Sequence, residues 1–214
     1  LYGLAEEASQ TGMPMVRAFA LQYPDWDPGW TLTDEYLLGD RIAVAPVVEQ
    51  GATTRVVDLP EGTWYPLEGG TALDMPAGGG SETVDAPVTE CPAFVPAGSL
   101  LVLLPEGVDT LVTDTTLDAT VTNQLDAGDD REIWVYPGGA SAWTEVDGLT
   151  YQWDAPNLTG PLTSVSLDGS DLAVTDGTVT FTGNGTVTVN GSATLTIAGG
   201  DAARRVVVRF IGLE

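Results

Sequence analysis

Carboxylates carry the acid–base chemistry that this sequence offers near neutral pH. The 214 residues include 31 Asp and Glu but no histidine, and the seven basic residues are all arginine. A Ser-His-Asp or Cys-His nucleophilic site and a histidine-liganded metal are therefore excluded within this chain. Cys91 is the single cysteine, so the chain cannot form an internal disulfide, and its apolar neighbours predict a buried thiol.

One acidic segment has ligands suitable for a cation. The sequence DAGDDRE contains Asp126, Asp129, Asp130 and Glu132, and Ca²⁺ prefers such oxygen ligands. Their spacing does not match an EF-hand loop, and a chain of net charge −24 is expected to contain acidic loops. The sequence therefore predicts no bound metal and no cofactor.

Aromatic side chains flank a strong hairpin signal in the second half of the chain. Asp147-Gly148 favours a two-residue turn, with Trp143 before it and Tyr151 and Trp153 after it. Tyr151 and Trp153 are two residues apart, so they lie on one face of a strand. An exposed face could stack on sugar rings, whereas a buried face would be core, and both interpretations remain open.

The net charge of −24 excludes several kinds of partner. An acidic surface repels nucleic-acid phosphates and anionic lipids, so we expect neither nucleic acid nor membrane as a partner. The longest apolar run, Leu100–Leu104, is far shorter than the roughly 20 residues that span a bilayer. The absence of lysine has two explanations, a genomic bias or an adaptation to salty water, where surface charge is screened.

The elements that position these residues change character along the chain. Apolar residues recur at helical spacing from Leu1 to Ala8, and Gly12 ends this predicted helix. Met15–Tyr23 is nearly all apolar, which is typical of a strand covered on both faces. One helix and one buried strand cannot form a sheet, so we expect them to be the last elements of a larger α/β domain. Residues 1–30 should then expose an apolar face, and their deletion should improve monodispersity.

The next stretch organises the rest of the chain. We predict a helical turn over Asp34–Gly39, a strand over Arg41–Val48, a strand over Arg55–Leu59 and an aromatic hairpin over Pro60–Tyr65.

All later segments indicate strands. Short apolar runs with turn signals between them predict antiparallel sandwiches. In the last 50 residues, Asn184-Gly185 and Asn190-Gly191 predict hairpin turns, and Arg205–Ile211 predicts a core strand.

Four motifs in this sequence resemble the C-terminal part of glycoside hydrolase family 31, which contains α-glucosidases and α-xylosidases. They are GMPMVRAFALQYP at 12–24, LLGDRIAVAPVVEQG at 37–51, LPEGTWYPLEGG at 59–70 and FVPAGSLLVLLPEG at 94–107. The resemblance implies a mainly β fold of two C-terminal β-sandwich domains, preceded by the last helix and strand of a (β/α)8 barrel. The barrel remnant would be 1–30, the proximal sandwich 31–108 and the distal sandwich 109–214.

The resemblance also implies a reaction whose catalytic groups lie elsewhere. Enzymes of this family are retaining, with an Asp nucleophile and an Asp acid/base in motifs of the form WxDMNE and WxGD on earlier barrel strands. Neither motif is present here, so we assign no catalytic residue. The expected partner is an N-terminal catalytic barrel in the same polypeptide, which would bind the carbohydrate. The chain would then supply accessory domains to an enzyme that hydrolyses terminal α-linked sugars. The alternative is a secreted carbohydrate-binding or adhesive module without an attached enzyme.

Trp26 and Asp27 are the candidate sugar contacts. In the sequence YPDWDPGW they follow the strand that the resemblance assigns to the barrel, and the C-terminal ends of barrel strands face the active site. Trp26 or Asp27 would then touch sugar at the rim. The other interpretation is an acidic connecting loop anchored by an aromatic side chain.

Overall fold

The structure is a computed structural model and describes residues 1–108, 121–122, 130–145, 148–200 and 203–213. The chain divides into two compact units, Leu1–Ala97 (unit 1) and Gly98–Glu214 (unit 2). Strands dominate both units, and almost all pair antiparallel. The predicted mainly β fold is confirmed. None of the helices in the described ranges is long and apolar enough to cross a membrane.

Unit 1 begins with short helical elements. Helix α1 spans Tyr2–Thr11, strand β1 Val16–Arg17, helix α2 Phe19–Gln22 and a 3-10 helix Asp27–Trp30. The helix predicted from Leu1 is confirmed. The prediction of one buried strand over Met15–Tyr23 is wrong, because an apolar run without alternation does not distinguish a strand from a helix.

The remaining strands of unit 1 form two sheets. The six-stranded sheet has the order β1-β2-β3-β8-β5-β6, and the second sheet pairs β4 with β7. The strands are β2 Tyr36–Leu38, β3 Ile42–Val44, β4 Thr54–Leu59, β5 Gly62–Pro66, β6 Leu73–Met75, β7 Gly80–Asp85 and β8 Ala93–Pro96.

The aromatic hairpin predicted over Pro60–Tyr65 is wrong, because β4 and β5 belong to different sheets. Two further local predictions for unit 1 are wrong. Residues 34–39 do not form a helical turn, because β2 pairs with β1 on one side and β3 on the other, and Gly39 at φ 67° turns the chain between β2 and β3. Cys91 is exposed, since it lies in the loop before β8 and not within the strand. In both cases, packing between segments distant in sequence determined the structure, and the local sequence pattern did not.

The core of unit 1 combines its two sheets with the N-terminal segment. Phe19 and Trp26 pack in one buried cluster with side chains of the strands. The buried strand and loop members are Leu37, Ala43, Ala45, Val57, Leu59, Trp64, Met75 and Phe94. Residues 1–30 therefore contribute to the core of unit 1. Their deletion is expected to uncover this core, in contrast to the prediction from sequence that it would improve monodispersity.

Unit 2 is a sandwich of a four-stranded and a six-stranded sheet, in the orders β15-β18-β10-β9 and β11-β12-β17-β16-β13-β14. Its strands are β9 Leu100–Leu103, β10 Arg131–Val135, β11 Gly139–Thr144, β12 Thr150–Ala155, β13 Val165–Leu167, β14 Ser170–Asp171, β15 Thr178–Thr182, β16 Gly185–Val189, β17 Ala193–Ala198 and β18 Arg205–Phe210. Strands β10 and β18 pair in parallel.

Several turn and strand predictions for unit 2 are confirmed. Strands β16 and β17 pair around Asn190-Gly191, whose φ values are 49° and 69°. Strands β11 and β12 pair antiparallel, but Asp147 of the predicted Asp147-Gly148 turn lies outside the described residues. The predicted core strand is β18. The hairpin predicted at Asn184-Gly185 is wrong, because β15 and β16 belong to different sheets. The Asn184 side chain instead accepts a hydrogen bond from Arg204 at 2.9 Å.

Candidate functional site

An open pocket of about 330 Å³ lies in unit 1 beside Trp26. The segment 22–26 forms one wall, and residues 60–61 and Gly78 form the other. Trp26 and Pro60 are buried and Tyr23 is half-buried, so they supply an apolar floor. The exposed polar residues on the rim are Gln22, Asp25 and Glu61.

Trp26 is held in position by a hydrogen bond, a ring contact and a close approach of the neighbouring loop. Its indole Nε1 donates to the Gly78 carbonyl at 3.0 Å, and its ring meets Phe19 edge-on with centroids 5.4 Å apart. Gly79, at φ 84°, lets the loop approach, because a Cβ there would lie 2.5 Å from that Nε1 and 2.7 Å from the Leu59 carbonyl oxygen. Only glycine fits this close approach without displacing the indole or the backbone.

Two further aromatic residues support the floor of the pocket. The rings of Tyr23 and Trp64 lie 6.1 Å apart, and the Trp64 Nε1 donates to the Pro60 carbonyl at 3.0 Å. Burial, followed by the charge of Asp40, raises the pKa of Tyr23 to about 12. The phenol therefore keeps its proton at neutral pH, and the floor carries no charge.

The structure separates the two candidate sugar contacts. Trp26 lines the pocket, whereas Asp27 is exposed at the start of the 3-10 helix and is not among the lining residues. Sequence reasoning missed Glu61 and Gly78, which lie more than 30 positions further along the chain. No local pattern links them to Trp26, because the loop packing brings them together.

A second polar cluster in unit 1 joins β2 to β4. Glu35 is 7% exposed and accepts a hydrogen bond from the Asp58 amide at 3.1 Å. Arg55 lies 2.8 Å from Asp34 and 3.4 Å from Glu35. Burial raises the pKa of Glu35 to about 7. The hydrogen bond from Asp58 and the charge of Arg55 both lower this pKa, but their effect is smaller than that of burial. The contacts of this cluster tie the start of β2 to β4 and so connect the two sheets of unit 1, which indicates a structural role.

The acidic segment predicted as a weak cation candidate is only partly described. Asp126 and Asp129 lie outside the described residues. Asp130 accepts a hydrogen bond from the Arg205 amide at 2.8 Å, and Glu132 accepts one from the Trp134 indole at 2.6 Å. Among the residues with described positions, no group of three or more His, Cys, Asp or Glu could hold a metal ion.

The aromatic residues of unit 2 face its core. Tyr151 and Trp153 are fully buried, and the Trp153 Nε1 donates to the Tyr136 carbonyl at 2.7 Å. Trp143 packs half-buried against the same core. Burial, followed by the hydrogen bond to Glu145, raises the pKa of Tyr151. These residues therefore belong to the core and do not form an exposed platform for sugar.

Comparison with known proteins decides the family. The model of the glycosyl hydrolase family 31 C-terminal domain matches residues 12–101. An isomaltosyltransferase of Sporosarcina globispora is 31% identical over 154 residues, which cover 72% of this chain and 12% of that protein. Alpha-glucosidase 2 of Bacillus thermoamyloliquefaciens is 34% identical over 103 residues, covering 48% of this chain and 13% of that protein. The chain belongs to glycoside hydrolase family 31 and corresponds to the C-terminal part of its members.

A solved structure has a similar fold. The cycloalternan-forming enzyme of Listeria monocytogenes matches 96% of this chain and 21% of its own, with a TM-score of 0.64 at 22% identity. This likeness shows the fold. The chain spans only 12% and 13% of the two curated relatives, so it corresponds to a small part of family 31 enzymes. The whole pocket lies within the matched family 31 range, since its lining residues run from Gln22 to Gly78.

Proposed function

We propose that this chain forms the C-terminal accessory region of a retaining α-glycosidase and stabilises a catalytic barrel that precedes it in the same polypeptide. The observation that carries the proposal is the apolar surface of residues 1–30. Among the described residues, this segment exposes Leu1 by 81%, Val16 by 57%, Leu21 by 51% and Trp30 by 66%. Apolar side chains grouped on one short segment indicate a surface that another part of the protein covers.

The N-terminal segment has two faces with different environments. Phe19 and Trp26 turn into the core of unit 1, whereas Val16 and Leu21 face outward. Strand β1 is also the edge strand of its sheet, so its outer side has backbone groups available for pairing. A preceding barrel would bury the outward face while unit 1 anchors the inward face.

In the proposed reaction, this chain supplies no acid and no nucleophile. A barrel carboxylate would attack the anomeric carbon while a second carboxyl protonates the leaving oxygen, and water would then release the sugar with retained configuration. The chain would act by holding the end of the barrel. Its effect on rate would therefore follow from the stability of the barrel.

The test compares the 214-residue chain with a longer polypeptide that includes the preceding coding region. We expect the longer polypeptide to hydrolyse a terminal α-glucoside or α-xyloside with retention, observed by NMR of the first anomer released. We expect the 214-residue chain alone to be inactive. Activity of the chain alone would contradict the proposal. A signal peptide directly before Leu1, without carboxylate motifs, would favour the binding module without an enzyme.

The apolar face is tested in the longer polypeptide by Leu21→Asp. Placing a charge in a covered apolar surface should lower the stability of the barrel by about 2 kcal/mol or more, measured by thermal inactivation. The matched control is Val88→Asp, at a residue 100% exposed in a loop of the same unit. Equal inactivation of both variants would show that Leu21 is not covered.

A further inference from the structure

We propose that the pocket beside Trp26 binds a single ring of a neutral saccharide. The inference rests on the proposed function only for the class of ligand, because the site itself lies wholly within unit 1. Its volume of about 330 Å³ is near the lower end of small-molecule sites, which hold about 300–1,000 Å³. A pocket of this size suits one sugar ring with the rest of a chain extending into solvent.

The lining of the pocket matches the two kinds of surface that a sugar presents. The apolar floor of Tyr23, Trp26 and Pro60 can pack against the C–H face of a pyranose ring. The rim carboxylates of Asp25 and Glu61 can accept hydrogen bonds from hydroxyl groups. Hydrogen bonds to charged acceptors are stronger than those between neutral groups, so the rim can orient the ring.

Charge selects the class of saccharide. The described residues that line the pocket include two carboxylates and no basic side chain, and the whole chain carries a net charge of −24. A sugar acid, sugar sulfonate or sugar phosphate would be repelled at this rim. The site is therefore specific for uncharged sugars.

The floor is rigid before any ligand arrives. The hydrogen bond from Trp26 to Gly78 fixes the indole, and the hydrogen bond from Trp64 to Pro60 fixes the opposite wall. Gly79 permits the close approach of the loop. A preformed surface loses little conformational freedom on binding, so a weak ligand such as a sugar can bind measurably.

The experiment titrates the 214-residue chain with maltotriose or isomaltotriose and follows saturation-transfer NMR and calorimetry. We expect saturable binding with Kd of about 1–10 mM, because a single ring makes few contacts to offset the cost of association. Glucuronic acid should bind at least tenfold more weakly. Absence of saturable binding by both neutral sugars would overturn the proposal without affecting the test of the barrel.

Paired variants locate the binding. Asp25→Ala combined with Glu61→Ala should weaken binding at least tenfold. The matched control, Glu82→Ala with Glu90→Ala, removes two exposed acids of unit 1 outside the pocket and should leave Kd unchanged. An equal loss of sugar affinity in both double variants would overturn the site. Loss of binding only in Trp143→Ala would also overturn it, because the sugar would then bind to unit 2.

Two further arms exclude other occupants and misfolding. Binding that EDTA abolishes would identify a cation between Asp25 and Glu61 and would overturn a sugar site free of metal. Trp26→Phe keeps an aromatic floor but removes the Nε1 donor to Gly78. We expect weaker sugar binding with a retained fold, observed by the dispersion of the protein's NMR spectrum. Unchanged binding in this variant would show that the indole does not shape the floor, against the proposal.

Discussion

Units 1 and 2 are both β-sandwiches, but they fill their cores from different sources. The core of unit 2 comes from its own strands and the loops between them, with Trp153 and Tyr151 among its buried side chains. The core of unit 1 also takes Phe19 and Trp26 from the helical segment ahead of its sheets. Unit 1 is therefore a composite, whose stability depends on a segment that also exposes apolar residues.

One carboxylate in each unit is paired with an arginine, and the two pairs differ in geometry. In unit 2, Arg131 contacts both carboxylate oxygens of Glu145 at 2.8 and 3.0 Å. In unit 1, Glu35 is more deeply buried, yet its distance to Arg55 is 3.4 Å. The looser pairing leaves the burial of Glu35 incompletely compensated, and this explains why its pKa rises.

The largest expected effect is on the composite core. Phe19→Ala should destabilise unit 1 by about 3–5 kcal/mol, because it removes a buried aromatic ring from between the segment and the sheets. Hydrogen exchange should show faster exchange in β4 and β7 with little change in β12 and β17. The control Leu21→Ala, at a half-exposed position of the same helix, should cost less than about 0.5 kcal/mol.

Deletion of residues 1–30 extends this test. The deletion should uncover the core positions that Phe19 and Trp26 fill and should increase aggregation, measured by light scattering. A truncated chain more monodisperse than the intact one would show that the composite core is dispensable.

Two neighbouring glycines give the next largest effect. Gly79→Ala should destabilise unit 1 by about 2–3 kcal/mol, because its Cβ would press on Trp26 and the Leu59 carbonyl. Gly78 has a similar φ of 87°, but a Cβ at this position would have nothing within 4 Å. Gly78→Ala should therefore destabilise unit 1 by only about 1–2 kcal/mol. Equal losses in urea unfolding would contradict the close approach seen at Gly79.

Glu35 should make the stability of unit 1 depend on pH. Its pKa is raised from 4.5 to about 7 in the folded protein, so the folded state binds the proton more tightly than the unfolded state. Its contribution is then most favourable below pH 4.5 and falls as pH rises towards 7. The loss should be about 2 kcal/mol after allowing for solvent screening.

The matched variant is Glu35→Gln, compared with the wild-type chain at each pH. The difference in unfolding free energy between the two should change between pH 4.5 and 7, since the amide does not titrate there. A constant difference would show that the carboxyl keeps its ordinary pKa.

Salt should give the smallest effect. If the acidic surface is adapted to salty water, molar NaCl should raise the Tm of the chain by about 4–8 °C, equivalent to about 1–2 kcal/mol, by screening repulsion between exposed acids. Hydrogen exchange would show whether both units gain. A flat response would favour genomic bias as the reason that lysine is absent.

Sequence patterns predicted the elements whose information is local. Asn190-Gly191 encodes its turn through two residues that tolerate positive φ, and β18 encodes its burial by alternating Val206, Val208 and Phe210 inward. Patterns failed where long-range packing decides. Met15–Tyr23 is apolar enough for a buried strand, but the structure has β1 followed by α2.

The candidate site was predicted only in part for the same reason. Trp26 stood out because YPDWDPGW follows the segment that the resemblance assigns to the last barrel strand. Glu61 and Gly78 join it through loop packing, and their neighbours in sequence carry no sign of this. Asn184-Gly185 resembles Asn190-Gly191 locally, yet it connects two sheets, because β15 pairs with β18.

The parallel pairing of β10 with β18 has a consequence for biosynthesis. Strand β18 is the only described neighbour of β15 and lies between it and β10, yet it is made after all of the other described strands. While the ribosome is still translating the intervening segments, the edges of β10 and β15 that β18 later covers have no partner and can capture a strand from another nascent chain. Slow decoding near the end of this region would therefore lengthen the interval in which the growing polypeptide depends on chaperones.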